Sequence, residues 1–318
     1  MLKGWSHKMG NHVSVLLDES IEMLGIKPDG IYVDMTLGRG GHSSKILEKL
    51  TTGHLYCFDL DEEAIKESRE RLEKISSSFT IIHDNFKSAK EDLLNLGVKE
   101  VDGIIMDLGV SSPQFDEAER GFSYRYDAPL DMRMDQNQRK SAKTIVNEYD
   151  FETLLKVFRE YGEDRYSYQI ASAIVKERAK KEIATTSELV EIIKRNKPAK
   201  ELAKKGHPAK QIFQALRIET NDEMKNLEEA LDKMPSLLKK GGVYSIITFH
   251  SIEDRIVKEK FRLLTKENIS RTDPSSLYAE SHIDFVSVTK KPIVPSEEEM
   301  EANNRAHSAK LRGIKRKE

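Results

Sequence analysis

A chain of 318 residues, 38% of them hydrophobic and 33% charged, is long enough for two domains and a sizeable core. No apolar run approaches the roughly 18 residues that span a bilayer, and the start lacks the basic-then-apolar pattern of a signal peptide, so a cytoplasmic protein without membrane contact is expected. The single cysteine excludes internal disulfides and cysteine-rich zinc sites, and a formal net charge of -2 does not announce a nucleic-acid binder.

The first apolar run, residues 31–33, reads as a strand leading into the turn Gly38-Arg39-Gly40-Gly41-His42-Ser43 and a helical pattern over 43–50. Glycines at such a turn let a ligand approach the backbone. Two ligands fit the spacing. The turn has the first two glycines of the dinucleotide fingerprint G-x-G-x-x-G but Ser43 at the third, which makes a pyrophosphate seat less natural. It also suits the amino-acid end of S-adenosylmethionine (AdoMet). A second strand over 55–58 contains Cys57, expected to be a buried strand residue, and ends at Asp59, where a carboxylate can accept ribose hydroxyls for either ligand. Asp61, ahead of Glu62-Glu63-Ala64, suits the N-cap of a helix over 62–75.

A third strand over 79–82 ends in His83-Asp84-Asn85-Phe86. Phe86 offers a flat ring for an adenine, although core packing is the commoner duty of a phenylalanine. A helix over 87–96 and a fourth strand over 101–106 follow, and this βαβαβαβ series implies a parallel sheet that binds ligands beyond its carboxyl ends. The fourth strand ends in Asp107 and the loop Leu108-Gly109-Val110-Ser111-Ser112-Pro113-Gln114. A carboxylate followed by small residues suits methylation of an exocyclic amine. The amine lone pair is delocalised into its ring, so acceptors must hold the N–H groups and favour a tetrahedral nitrogen. Asp107 and the backbone of Ser111, Ser112 and Pro113 are the candidates; an ordinary turn is the alternative for Ser111-Ser112-Pro113.

Beyond this loop the strand rhythm stops, and mainly helical patterns fill residues 151–218. Lys and Arg outnumber Asp and Glu over 176–217; such runs usually form a solvated helix face, with RNA contact as the alternative. A helix over 221–238 and the turn Lys240-Gly241-Gly242 lead to a strand over 243–249, so a helical insertion between strands four and five of one sheet is expected. In the following His250-Ser251-Ile252-Glu253-Asp254-Arg255, a lone histidine without a second ligand at helical spacing argues against a metal, and none is expected. His250 and Arg255 either line the RNA side of the pocket or form a salt-bridge network at a helix start. Runs at 285–288 and 310–314 would complete a seven-stranded sheet, Pro295-Ser296-Glu297-Glu298-Glu299 reads as a solvated turn, and the basic stretch 305–317 as a solvated tail, with RNA contact as the alternative.

Several segments together resemble the bacterial small-subunit ribosomal RNA cytosine-N4 methyltransferase family, called RsmH or MraW. They include His12-Val13-Ser14-Val15-Leu16-Leu17, the glycine turn, Asp107 to Gln114, Arg120-Gly121-Phe122-Ser123, Pro129-Leu130-Asp131-Met132-Arg133-Met134, His207-Pro208-Ala209, Phe213-Gln214-Ala215-Leu216-Arg217-Ile218, Asn221-Asp222-Glu223 and Phe249 to Arg255, in order through nearly the whole chain. The resemblance implies a Rossmann-like seven-stranded AdoMet-dependent methyltransferase sheet, α/β in class, with an inserted helical domain. It implies AdoMet as methyl donor and N4 of one cytidine, cytidine 1402, in 16S rRNA of the small ribosomal subunit as acceptor. AdoMet contacts carry over to Gly40, Gly41, His42, Asp59, Phe86, Asp107 and Gln114, of which Gln114 has no reading apart from the resemblance. The expected domains are 1–114 with 216–318 for AdoMet binding and 115–215 for RNA recognition. His307 stands where the family's ending suggests arginine. The near-neutral charge points to an assembled ribosomal particle as substrate. The other readings are a DNA cytosine-N4 or adenine-N6 methyltransferase, a non-catalytic RNA-binding assembly factor, and an NAD-linked oxidoreductase, which the missing third glycine disfavours.

Overall fold

The computed structural model describes residues 14–109, 117–266, 283–303 and 305–318; Ser111, Ser112, Pro113 and Gln114 lie outside them. The chain divides into two compact units, Met1–Gly109 with Ala230–Glu318, and Val110–Glu229, the boundary falling within the helix Glu223–Lys233.

In the first unit, α1 (Leu17–Leu24) precedes an alternating series: β1 (Ile31–Asp34), α2 (Gly41–Leu47), β2 (His54–Asp59), α3 (Glu62–Leu72), β3 (Phe79–His83), α4 (Ala89–Asn95) and β4 (Val101–Asp107). The later segment supplies β5 (Leu238–Thr248), the helix Ser251–Thr265, β6 (Phe285–Ser287) and β7 (Lys310–Arg316). The sheet order is β3-β2-β1-β4-β5-β7-β6, with β1 to β5 parallel and β7 antiparallel to both neighbours. This is the Rossmann-like methyltransferase fold. Strand order reverses between β1 and β4, so the connections leaving their carboxyl ends diverge and open a crevice there.

The central strands β1, β4 and β5 form where side chains are buried on both faces, which is why β4 reads as a nearly continuous apolar run: Val101, Ile104, Ile105 and Met106 are fully buried. Asp61 fixes the start of α3, its Oδ1 accepting the Glu63 and Ala64 N–H groups, and Glu62 and Glu63 sit at the positive end of the helix dipole. Ala64, Ser68 and Leu72, four residues apart, make its buried face. Cys57 is buried in β2, as expected.

Three expectations are corrected. Lys240-Gly241-Gly242 does not precede the strand but lies within β5, where the register jumps from Val101↔Leu238 to Gly103↔Val243; the strand absorbs the extra residues as an irregularity, with Gly241 at φ 76°. Residues 295–299 do not form a turn. Ser296 Oγ accepts the Glu299 N–H at 3.1 Å and caps a helix, Glu297–Ala302, whose first turn holds three glutamates. Residues 305–317 are not a free tail either: they hold a short 3-10 turn, Ala306–Ser308, and β7, which pairs on both edges. Lys310 and Arg312 of β7 bind the buried Asp254, with Arg312 Nε 2.7 Å from Oδ1 and Lys310 Nζ 3.0 Å from Oδ2.

The second unit is helical, with Ala142–Glu148, Phe151–Glu160, Ser167–Arg178, Thr186–Arg195 and Lys210–Asn221 around a core that includes Phe122, Ile145, Phe158, Ile170, Ile193 and Phe213. Helical structure starts earlier than the periodicity indicated because Ser141 and Thr144 form a capping box. Thr185 and Glu188 form another at the start of the Thr186–Arg195 helix. Among the described residues, no helix is long and apolar enough to cross a membrane.

Candidate active site

The carboxyl ends of β1, β2 and β4 converge through hydrogen bonds from the glycine turn. The turn is pinned to β2 at two points: Leu37 N–H donates to Phe58 O at 2.9 Å and Gly38 N–H to Asp59 Oδ2 at 2.7 Å. Gly40 has φ 73°, a left-handed conformation that glycine adopts without cost, and α2 begins at the next residue. Beneath the turn, Asp34 accepts the Ser43 hydroxyl at 2.6 Å and the Thr36 N–H at 3.1 Å. Thr36 Oγ1 in turn accepts the Asp107 N–H at 2.6 Å, which fixes the tip of β4 against the end of β1.

Asp59 Oδ1 accepts the Asp61 N–H at 2.9 Å. Each of its oxygens therefore holds one backbone donor and keeps a lone pair, and the residue is only partly buried. That leaves acceptors for two vicinal hydroxyls. Burial raises the Asp59 carboxyl above its ordinary range, against the opposing Asp61 and Gly38 donors. Phe86 opens a 3-10 turn, Phe86–Ser88, just past β3, capped by Asn85, and its ring is partly exposed. A ring at that point can cover an aromatic base.

Asp107 is the most perturbed group at this edge. Burial pushes its carboxyl up to about 7, Arg305 pulls it down, and Asp34 and Glu253 raise it further. Its Oδ1 is buried and has no hydrogen-bond partner among the described residues. A buried acceptor without a donor costs free energy unless a ligand supplies one. His42 Nδ1 stands 3.6 Å from the other oxygen, yet burial lowers the imidazole to about 4, so the ring is neutral near pH 7 and the contact is no ion pair. Burial also brings Asp34 up to about 6, against the Ser43 and Thr36 donors.

Gly109, two residues beyond Asp107, has φ 116°, and a Cβ there would lie 3.2 Å from the Phe249 ring. The Arg305 guanidinium carbon lies 5.6 Å from the centroid of that same ring. Phe249, Arg305 and Thr36 thus join Asp107, a grouping that residue types and spacing do not signal; Phe249 entered at the end of a strand and in a segment resembling the family, and Arg305 in a basic stretch.

His250 belongs to the helix-start network. It is the N-cap of the Ser251–Thr265 helix, its Nδ1 accepting the Glu253 N–H at 3.4 Å while Glu253 Oε2 accepts the N–H groups of Phe249 and His250. Its Nε2 lies 2.9 Å from Glu253 Oε1, and its side chain is 11% exposed. Arg255, one turn into the same helix, is exposed. The residues expected to hold AdoMet within the described chain, Gly40, Gly41, His42, Asp59, Phe86 and Asp107, all lie at the carboxyl edge of the sheet.

The model of the MraW methylase family matches residues 9–317. A relative from Streptococcus dysgalactiae subsp. equisimilis, named ribosomal RNA small subunit methyltransferase H, is 53% identical over 309 residues, covering 96% of this chain and 98% of its own. Among solved structures, an rRNA methylase from Streptococcus thermophilus is 13% identical with a TM-score of 0.39, covering 96% of this chain and 99% of its own. A chain from Streptococcus mutans solved in complex with SAH is 14% identical with a TM-score of 0.38 and the same coverage.

Proposed function

Since this chain belongs to the MraW methylase family, we propose that it transfers the methyl group of AdoMet to the exocyclic N4 amine of a single cytidine, cytidine 1402, in 16S rRNA. An AdoMet-dependent rRNA methyltransferase is supported by the family and by the relative named for the small ribosomal subunit. The cytosine amine as acceptor is supported by one observation above others: the buried Asp107 Oδ1, which has no hydrogen-bond donor among the described residues, at the tip of the strand beside the switch in strand order.

The residues present fit the cofactor. Asp59 offers free lone pairs for ribose hydroxyls, Phe86 a ring for adenine, and the backbone from Gly38 to Gly41 an approach without side chains except Arg39. When bound, AdoMet supplies a methyl group on a positively charged sulfonium. Asp107 then has two duties that its position allows. Its carboxylate accepts an N–H of the cytosine amine, which withdraws the nitrogen lone pair from ring conjugation, and its negative charge favours the ammonium character that develops on nitrogen. No strong base is needed, because the methylated ammonium is itself acidic. The backbone carbonyls of Ser111, Ser112 and Pro113 are proposed as the companion acceptors and Gln114 as a further AdoMet contact. The Phe249 ring, with Arg305 over it, is a surface on which the base can lie flat.

The substrate we propose is the assembled small subunit. The decisive experiment is nucleoside mass spectrometry of 16S rRNA from a strain lacking this gene: N4-methylcytidine should disappear and return on complementation. Unchanged N4-methylcytidine, or loss of a methylated adenine instead, would overturn the reading.

A further inference from the structure

The aromatic neighbour of Asp107 is fixed by the sheet itself. Asp107 pairs with Ile247 in the register of β4 and β5, and Leu108 N–H donates to Ile247 O at 3.0 Å, so Gly109 and Phe249 leave the two strand ends side by side. Glu253 Oε2 accepts the Phe249 N–H at 2.8 Å, which holds the backbone that carries the ring. A Cβ on Gly109 would come 3.2 Å from that ring, and Gly109 has φ 116°, so glycine is what lets the ring approach the loop that Asp107 opens.

A cation reaches the same ring from the far end of the chain. The Arg305 guanidinium carbon lies 5.6 Å from the Phe249 centroid, within the range over which a ring attracts a guanidinium. The segment that carries Arg305 is anchored on both sides. Ahead of it, Glu299 Oε1 accepts the Leu16 N–H at 2.8 Å, and Asn303 Oδ1 accepts the Arg305 N–H at 3.1 Å. Behind it, Ala306, Ala309 and Leu311 are buried together with Val15, Leu16 and Ile247. Leu16 holds φ 52°, a left-handed backbone that a leucine adopts only where its surroundings impose it.

The charges that face Asp107 give this anchoring a chemical purpose. Burial is the largest influence on the Asp107 carboxyl and raises it; Arg305 comes next and lowers it, while Asp34 of β1 and Glu253 of the Ser251–Thr265 helix raise it. His42 of α2, with Nδ1 3.6 Å from Asp107 Oδ2, is neutral near pH 7 because burial lowers it to about 4. Of these four neighbours, Arg305 is the one that carries positive charge near pH 7. A guanidinium also keeps its charge across the whole range in which Asp107 titrates.

We infer that Arg305 is a positioning residue for methyl transfer, holding the Phe249 ring beside the loop that Asp107 opens and setting a fixed positive charge beside the Asp107 carboxylate. The ring then offers the base a surface of set orientation, and the carboxylate stays able to accept N–H groups on both oxygens. The inference deepens the rRNA methyltransferase reading and rests on it.

The test uses the full chain carrying Arg305→Gln, Arg305→Lys or Phe249→Leu. Single-turnover transfer to small ribosomal subunits at saturating AdoMet is followed from about pH 6 to about pH 9, with KM for the subunits, AdoMet affinity and Tm. In parallel, the Asp107 carboxyl of the cofactor-free protein is titrated by carbon-13 NMR, its signal assigned with Asp107→Asn. Arg305→Gln should move the midpoint of both pH curves up from about 7 by about one pH unit or more, which slows transfer about tenfold at pH 6. Its rate at the high-pH plateau should also fall about fivefold, because the ring loses its cation. Arg305→Lys keeps the charge but not the planar face, so it and Phe249→Leu should keep the wild-type midpoint and share the lower plateau. A wild-type midpoint in Arg305→Gln would overturn the inference, as would an equal midpoint shift in Arg305→Lys. A higher KM in both Arg305 variants with midpoint and plateau unchanged would assign the side chain to an RNA phosphate and overturn it too. If Arg305→Gln does not fold, Arg305→Lys carries the test, and a wild-type plateau in it decides against the inference. A wild type that transfers no methyl group sinks the methyltransferase reading instead, while the carboxyl titration still decides whether Arg305 acts on Asp107.

Discussion

A carboxyl group held at about 7 changes its hydrogen-bonding capacity within the ordinary assay range, and Asp107 is such a group. Only the ionised form accepts N–H bonds on both oxygens, so the single-turnover rate of methyl transfer should rise with pH through about 7 and then level off. Asp107→Asn should lose that pH step and be slower by about a hundredfold or more, the scale of losing one preorganised transition-state contact. The stability consequence has the opposite sign. Asp34 and Asp107 have folded values of about 6 and about 7, above the ordinary 3.8, so the folded chain binds more protons than the unfolded one between these limits. Stability of the ligand-free protein should therefore be greatest below that window and fall as pH rises through it. The share of Asp34, 2% exposed, is about 3 kcal/mol. Thermal melts across that window check the slope, and Asp34→Asn should flatten it.

At the scale of elements, the turn between β1 and α2 and the pairing of β7 carry separate predictions. Gly40→Ala places a Cβ on a backbone at φ 73°, 3.3 Å from Ser68 Oγ, and should weaken AdoMet binding at least about tenfold, because the strained turn moves away from Asp59. Gly97→Ala is the control: φ 81° with open space around its Cβ, so it should cost stability of about 1 kcal/mol without changing AdoMet affinity by isothermal titration. Burial would raise the Asp254 carboxyl, but Arg312 and Lys310 hold it below its ordinary value; Asp254→Ala leaves both cations unmatched and should cost about 3 kcal/mol by urea unfolding. The central strands were legible because strands covered on both faces write apolar runs into the chain, the edge strands β3 and β6 through their β-branched and aromatic residues, and Asp59 and Asp107 because each closes such a run. The start of β5 was not, since Gly241-Gly242 has the same composition in a turn and in a strand irregularity. The helix Glu297–Ala302 was missed because a cap and a dipole start it, with no buried face to produce periodicity. Residue spacing left Phe249, Arg305 and Thr36 unsignalled as companions of Asp107 because only the fold brings together ends so far apart along the chain.

For the whole molecule, the division of labour follows from where charge and strain are kept. The sheet unit gathers three carboxyls that burial raises, Asp34, Asp59 and Asp107, at its carboxyl edge, which favours a cationic cofactor and an amine. The helical unit carries as many Lys and Arg as Asp and Glu, so its charge is balanced, and its core is apolar. The central claim is that this fold moves a methyl group to a cytosine amine with Asp107 holding the N–H. Its most direct test is transfer from labelled AdoMet to small ribosomal subunits in vitro, followed by digestion and separation of the nucleosides, with wild type and Asp107→Asn compared at equal bound AdoMet. The account predicts label in N4-methylcytidine alone with the wild type and almost none with the variant; label in another nucleoside, or equal labelling by both proteins, would contradict it.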